Sequence, residues 1–412
     1  MRSYFSAAVA AALLVPAAAF AGGYAVPNTN TRDLGMAGAA VANQTGPEAA
    51  YANGSALAGQ DGLAIGGALT LIDFSSTWTD PLGTVGQNAS TSTIPKAAFP
   101  PNLNIGYGFK LGDMPSAVGF AFGVPYGGLI YWPSQWAGNA SVIHVDRRVY
   151  TYDLQGAIQP IPQVKIGLGG TLYYATEKLE QGLDFGTSNG DVQLGTSGTG
   201  LGWTASFEVT PVKDLPFRIG LQYRHQSVLD LSGNAHFEGI PPTFQTQGLI
   251  DQTATHKLSI PNVLDAGISY DVMPGLTVDA AITFWRFIVY RNDTFIGDKG
   301  LTVTVPRDYT NAMTYRLGAE YKLPFLTALT VRTGVIRDIT PQPTDTLDPS
   351  LPQSSSWSWS VGASYQITNA FSVTVGNNYA WFDQVTTTGT NAYPGTYNTS
   401  AEIVSLGLIY KL

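Results

Sequence analysis

From about residue 63 to residue 412 the chain runs in stretches of alternating apolar and polar residues, and the joins between them are short, then long, then short again. Successive side chains point to opposite faces of an extended strand, so a period of two makes each stretch a two-faced strand. The short joins include Lys110-Leu111-Gly112-Asp113-Met114, Gln159-Pro160-Ile161-Pro162, Asp271-Val272-Met273-Pro274-Gly275 and Thr368-Asn369. They alternate with polar joins several times longer, which is how a transmembrane barrel sets tight turns on one side and long loops on the other.

Composition narrows the class. Only 12% of the 412 residues are charged, against roughly 25% in soluble domains. No run of 18 apolar residues follows the N-terminus, so helical membrane spans are excluded and strands remain. A soluble β-sandwich also alternates, but here the apolar face is the broader one and carries Trp and Tyr near strand ends, as interfacial belts require. Arg2, the apolar run from Ala7 to Val15 and the small residues of Ala19-Phe20-Ala21 predict a signal peptide over 1–21 and a mature start at Gly22, hence export to a bacterial outer membrane. The absence of cysteine removes disulfides, thiolate metal sites and a lipoprotein anchor. A formal charge of -8 disfavours nucleic acid. Acidic loops beside lipopolysaccharide would need bridging cations.

The period-two stretches predict fourteen strands, at 63–75, 98–110, 115–125, 147–159, 162–178, 196–210, 215–229, 257–271, 275–290, 310–323, 327–338, 356–368, 370–383 and 400–412. The expected fold is all-β: a transmembrane antiparallel barrel over 63–412 with an N-terminal hatch over 22–62. Trp357, Trp359, Val361, Ala363, Tyr365 and Ile367 face lipid, while Ser358, Ser360, Gly362, Ser364 and Gln366 face the lumen. Val404, Leu406, Leu408, Tyr410 and Leu412 resemble the C-terminal signal through which outer-membrane proteins meet the barrel-assembly machinery, with Leu412 in place of the usual aromatic.

Residues 22–62 are rich in Ala, Gly and Asn and do not alternate. They read as a plug inside the barrel or as a disordered tail, and a fourteen-strand lumen must be either filled or open. The runs Arg32-Asp33-Leu34-Gly35-Met36-Ala37-Gly38-Ala39-Ala40-Val41-Ala42 and Glu48-Ala49-Ala50-Tyr51-Ala52-Asn53-Gly54-Ser55-Ala56-Leu57-Ala58 resemble the hatch of the FadL family of outer-membrane long-chain fatty acid transporters. Where that family reads Asn-Pro-Ala-Gly, this chain has Asn53-Gly54-Ser55-Ala56. Further similar segments are Phe122-Gly123-Val124-Pro125-Tyr126-Gly127, Ile260-Pro261-Asn262-Val263-Leu264-Asp265-Ala266-Gly267, and Arg332-Thr333-Gly334 through Leu351-Pro352, where Gln353 stands in place of the family's Asp and Arg.

The resemblance implies passive uptake of hydrophobic small molecules, with long-chain fatty acids first and aromatic hydrocarbons second, and no cofactor. It places a ligand site against the mature N-terminus, hence Gly22, Gly23, Tyr24 and Val26, and a lateral opening at a kink in the third strand, hence Phe122, Gly123, Val124 and Pro125. Proline lacks a ladder donor, so Pro125 marks a strand end, a bulge or an inward kink. By parity Tyr173, Trp285 and Phe287 face the lumen, where they either line a greasy ligand or pack on the plug. The inward charges Arg218, Arg224, Asp265, Asp279, Arg316, Glu320 and Arg332 form a network with Arg32, Asp33 and Glu48 of the hatch, or leave Arg316 or Arg332 to meet a carboxylate. Gly35, Gly38 and Asn53 complete the hatch candidates. Leu129, Ile130, Trp132 and Trp136 in one loop and Phe237, Ile240, Phe244, Leu249 and Ile250 in another form an outer capture groove, or a lid in which they pack together.

Two other classes fit less well. A barrel lipase or protease would use His144, His225, His236 or His256, but no Gly-x-Ser-x-Gly elbow is present. An open porin has no use for a 41-residue hatch. The glycine-rich string Gly195-Thr196-Ser197-Gly198-Thr199-Gly200 lacks the lysine and helix of a phosphate loop.

Overall fold

The computed structural model describes residues 23–26, 30–80, 83, 90–186, 188–212, 215–387 and 393–412. The predicted signal peptide and Gly22 lie outside the described residues. One antiparallel sheet contains fourteen staves. They are β1 (Gly62–Thr79), β2 (Pro101–Leu111), β3 (Met114–Tyr131), β4 (His144–Ile161), β5 (Val164–Asp184), β6 (Asn189–Val209), β7 (Phe217–Arg224 and Ser227–Glu238) and β8 (Gln252–Ile260 and Asn262–Met273). The ring continues through β9 (Leu276–Arg286 and Asn292–Gly297), β10 (Thr302–Pro306 and Ala312–Lys322), β11 (Leu329–Asp338), β12 (Ser356–Gln366), β13 (Phe371–Phe382) and β14 (Gly395–Lys411). Each predicted strand falls on one stave.

β1 pairs with β14 from Ala64↔Lys411 to Thr79↔Thr396, which closes the ring. The tight turns follow from backbone chemistry. Gly112 and Gly275, in the turns between β2 and β3 and between β8 and β9, hold positive φ angles that residues with a Cβ rarely adopt. Several staves extend outward beyond the predicted strands. On β8 the added outward residues are Thr253 and Thr255, both exposed, whereas Leu264, Ile268, Tyr270 and Val272 face outward farther down. Above the bilayer the outward face turns polar while Ala254 and Leu258 face the interior, so the apolar-out pattern stops before the strand does.

Residues 30–60 lie within the ring. Helix α1 (Thr31–Gly35), capped by the Asn30 side chain accepting from the Asp33 N–H at 3.2 Å, packs on β12, β13 and β14. A 3-10 turn at Ala40–Ala42 packs on β7, β8 and β9. Helix α2 (Ala49–Ala52) and the turn Gly54–Gly59 lie against β3 to β6. A segment that touches staves on all sides reaches them only from inside. A Cβ on Gly35 would stand 3.0 Å from the Gly362 Cα on β12, so close backbone approach explains the small residue there. Asn53 caps the second turn through Ser55 and donates to the Val41 carbonyl at 2.8 Å, tying the two halves of the segment together.

Candidate transport pathway and ligand cavity

The third stave departs from the pattern of the others. Along β3 burial alternates as far as Phe122, then every residue from 123 to 130 is buried. Both faces of this stretch are covered, while its ladder to β4 runs on to Tyr131↔His144. The ladder to β2 ends at Leu103↔Phe122, while pairing with β4 shifts register between Gly123 and Tyr126, so Val124 and Pro125 together oppose Tyr150. Pro125 therefore sits at a bulge, the position a residue without an N–H can occupy in a sheet. Among the described residues, no ladder pair joins β2 to β3 above Phe122.

The freed edge is occupied by the N-terminal residues. The Gly127 N–H donates to the Tyr24 carbonyl at 2.7 Å and the Val26 N–H to the Pro125 carbonyl at 2.8 Å, with Ala25 opposite Tyr126. The Tyr24 ring lies 5.6 Å from Phe287 and 5.2 Å from Tyr290, both edge-on, and 6.0 Å from Tyr126. Tyr173 is buried in the same apolar cluster and Trp285 packs at its margin. Gly23 has φ 70° and a Cβ there would strike the Phe287 ring at 2.7 Å, so the close approach that glycine permits is to this aromatic. Gln353, where the resemblance departs from the family pattern, donates to the Gly23 carbonyl.

On the outer side lies a cavity of about 250 Å³. Its walls are mostly apolar, with Val142, Leu179, Leu194, Phe295 and Val303 among them, and Tyr24 closes part of its boundary. Two guanidiniums, Arg147 and Arg307, also line it. Both are paired. Arg147 lies 2.5 Å from Glu177 and 3.4 Å from Asp293, and donates to the Tyr290 hydroxyl at 3.0 Å. Arg307 lies 3.0 Å from Asp293 and also binds Asp348. His256 binds the other Glu177 oxygen.

The two loop sets predicted to share a groove have different surroundings. Leu129, Ile130, Trp132 and Trp136 are buried in an apolar cluster with Trp78 and Tyr393, and Trp132 stacks on Trp136 at 4.2 Å. The Trp132 indole N–H donates to the Pro349 carbonyl and that of Trp136 to Val142. Phe237 and Leu249 instead line the outer cavity. Ile240 is buried, Phe244 lies 4.6 Å from Phe185, and Ile250 is exposed.

Lower in the lumen the contacts are polar. Glu320 binds both Arg32 at 3.1 Å and Arg332 at 2.5 Å, so one wall carboxylate joins an inner-segment arginine to a wall arginine. Arg332 also donates to Ser364 at 2.6 Å. Arg316 lies 3.6 Å from Asp265 and donates to Thr283. Arg224 binds Asp153 at 2.6 Å and its guanidinium covers the Tyr51 ring at 4.5 Å. Asp33 accepts from Gln44 at 2.7 Å. Glu48 lines a polar cavity of about 530 Å³ with Arg32, Glu320 and Arg332, and burial, aided by the nearby Asp33, lifts its carboxyl to about 7. Gly38 holds φ 69°, turning the chain after α1.

The sequence reading missed Arg147, Tyr126, Tyr290 and Arg307. Arg147 opens the predicted strand 147–159 and carries the same parity as the inward Asp153, so alternation alone could have found it. Tyr290 lies in a 3-10 turn cap and Arg307 in a break of β10, where no period operates.

A closed fourteen-stave barrel with an apolar outer face, an internal N-terminal segment and an apolar cavity defines an outer-membrane transport barrel. The family described as outer membrane protein transport protein (OMPP1/FadL/TodX) matches residues 12–412, and the chain belongs to that family of transporters of hydrophobic compounds. A Pseudomonas aeruginosa FadL homologue has the same fold, with a TM-score of 0.85 at 19% identity over 95% of this chain and 100% of that one. The P. putida toluene transporter TodX follows with a TM-score of 0.73 at 16% identity over 95% and 99% of the two chains. The Ralstonia pickettii toluene transporter TbuX gives 0.71 at 16% over 94% and 99%. No curated protein matches the chain.

Proposed function

We propose that the protein takes up hydrophobic small molecules passively: the outer cavity captures the ligand, residues 30–60 act as the plug, and the break above Phe122 is the side exit toward lipid. The observation that carries this reading is the loss of the β2–β3 ladder beside an apolar cavity, with Tyr24 to Val26 occupying the freed edge. A membrane-facing wall without its ladder exposes backbone groups to hydrocarbon, so such a gap is retained only where something fills it. Displacing the short N-terminal run is a smaller rearrangement than expelling the whole inner segment. The signal peptide and the delivery to the outer membrane belong to the same reading.

Long-chain fatty acids are the proposed ligands, because the cavity sets two guanidiniums within apolar walls and so suits a chain ending in a carboxylate. Monoaromatic hydrocarbons are the second reading, favoured by the pairing of both arginines with carboxylates, which leaves an uncharged ligand nothing to compete with. Uptake of labelled palmitate and labelled toluene by cells lacking their own transporter separates the two. The proposal expects palmitate to enter faster on expression of this chain; a rise for toluene alone transfers the assignment to the second reading, and a rise for neither overturns both.

A further inference from the structure

The wall is unzipped a second time, between β8 and β9. Ladder pairs occur at Ala254↔Gly297 and Thr255↔Ile296, then resume only at Asn262↔Arg286. Among the described residues, no backbone hydrogen bond joins 256–261 to 287–295. Both staves are held on their other sides. β8 keeps its full ladder to β7 from Gln252↔Ala235 to Ile260↔Ser227, and β9 stays tied to β10 through Arg307 N–H to Arg291 O at 2.8 Å and Tyr309 N–H to Tyr290 O at 3.2 Å.

This seam mirrors the first. A proline without a donor stands at its lower corner, Pro261, as Pro125 stands at the other. It begins just above an outward-facing apolar pair, Leu264↔Phe284, as the first begins above Leu103↔Phe122. Both therefore lie at the outer edge of the apolar band, six staves apart in a ring of fourteen. The lower part of the rim is apolar, with Leu258, Ile260 and Phe287 buried and Ile288 exposed, while Lys257 and Arg291 stand exposed above it. The filler is again Tyr24. Its ring lies against Phe287 and Tyr290 on one side of the seam, and its hydroxyl donates to the Ser259 carbonyl on the other.

We propose that the β8–β9 seam is a second lateral portal for the apolar ligand, and that Tyr24 closes both portals, by its backbone carbonyl at β3 and by its side chain at β8. The inference rests on the transport reading above but makes a claim of its own about the wall. Moving one residue releases both seams together, so a ligand pressing on Tyr24 from the cavity gains two ways out.

Two measurements test it. Because the chain has no cysteine, spin labels placed on Lys257→Cys and Ile288→Cys report the width of the seam without any transport. The distance distribution should broaden and lengthen in Tyr24→Ala and stay narrow in the parent; identical distributions overturn the gate. In a second experiment Ser259→Cys and Val289→Cys are joined by a reducible bifunctional thiol reagent in the folded protein, and uptake of labelled palmitate is measured before and after reduction. Uptake should be at least twofold lower while joined and recover on reduction; equal rates in the two states overturn the portal. An absence of uptake in the uncrosslinked parent would instead count against the transport reading, and the label distances would still decide the gate.

Discussion

The inner and outer halves of the barrel are built differently. In the inner half residues 30–60 fill the lumen, bound by ion pairs such as Arg32–Glu320–Arg332. In the outer half the wall is interrupted beside β3 and again between β8 and β9, and a cavity remains whose walls are mostly apolar but include the paired Arg147 and Arg307. Ion pairs hold the inner segment to its wall, whereas the N-terminal residues that patch the outer wall are held by hydrogen bonds and aromatic edges; the outer ion pairs of Arg147 and Arg307 with Glu177, Asp293 and Asp348 join stave to stave. The difference teaches where motion belongs: a transporter that keeps its inner segment fixed can work by moving the residues that patch its upper wall.

The hardest test of the inner half is Glu320→Ala. It strands two buried guanidiniums, and breaking such a pair costs about 3–5 kcal/mol. Single-channel recording in planar bilayers should show new, larger ion currents as the segment loosens; an unchanged trace would mean that charge does not lock this half. Glu48→Gln gives the next largest effect, and it depends on pH. The folded carboxyl is raised from its ordinary 4.5 to about 7 by burial, so the folded state holds a proton the unfolded chain has lost between those values. Stability should therefore fall as pH rises from 4.5 toward 7 and level off above it, by about 3 kcal/mol in all. Urea midpoints of parent and variant should agree near pH 5 and diverge at pH 8 with the variant higher; parallel curves would break the assignment. Gly35→Ala is the mildest. Its new methyl meets backbone at Gly362, a mismatch of roughly 1–3 kcal/mol, and the temperature at which the band shifts on a semi-native gel should drop modestly while palmitate uptake persists.

Much of the inner half was legible in the sequence, and less of the outer half. Period-two alternation located every stave, because lipid on one face and polar groups on the other impose it on residues such as Trp357 to Gln366. The inward charges Arg316, Glu320 and Arg332 followed from the same parity. Tyr24, Tyr173, Trp285 and Phe287 were named separately, and the structure brings them together. Alternation fails where a strand is covered on both faces or unzips. The predicted strand stops at 125 and residues 126–130 read as loop because they are buried on both faces, and Arg307 and Tyr290 lie in breaks that carry no period. The aromatic loop around Trp132 shows the limit of composition: it left a groove or a packed lid open and named no partner, and in the structure the loop packs on Trp78 and Tyr393.

The central claim, sideways release through an interrupted wall, is tested most directly by deleting Pro125. Two residues there oppose one on β4, so removing one restores an even register with Tyr150 and lets β3 continue in the wall. The account predicts a folded, heat-modifiable barrel in which palmitate uptake falls more than tenfold from the parent. A deletion variant that folds with the register restored and still takes up palmitate at the parent's rate would contradict it.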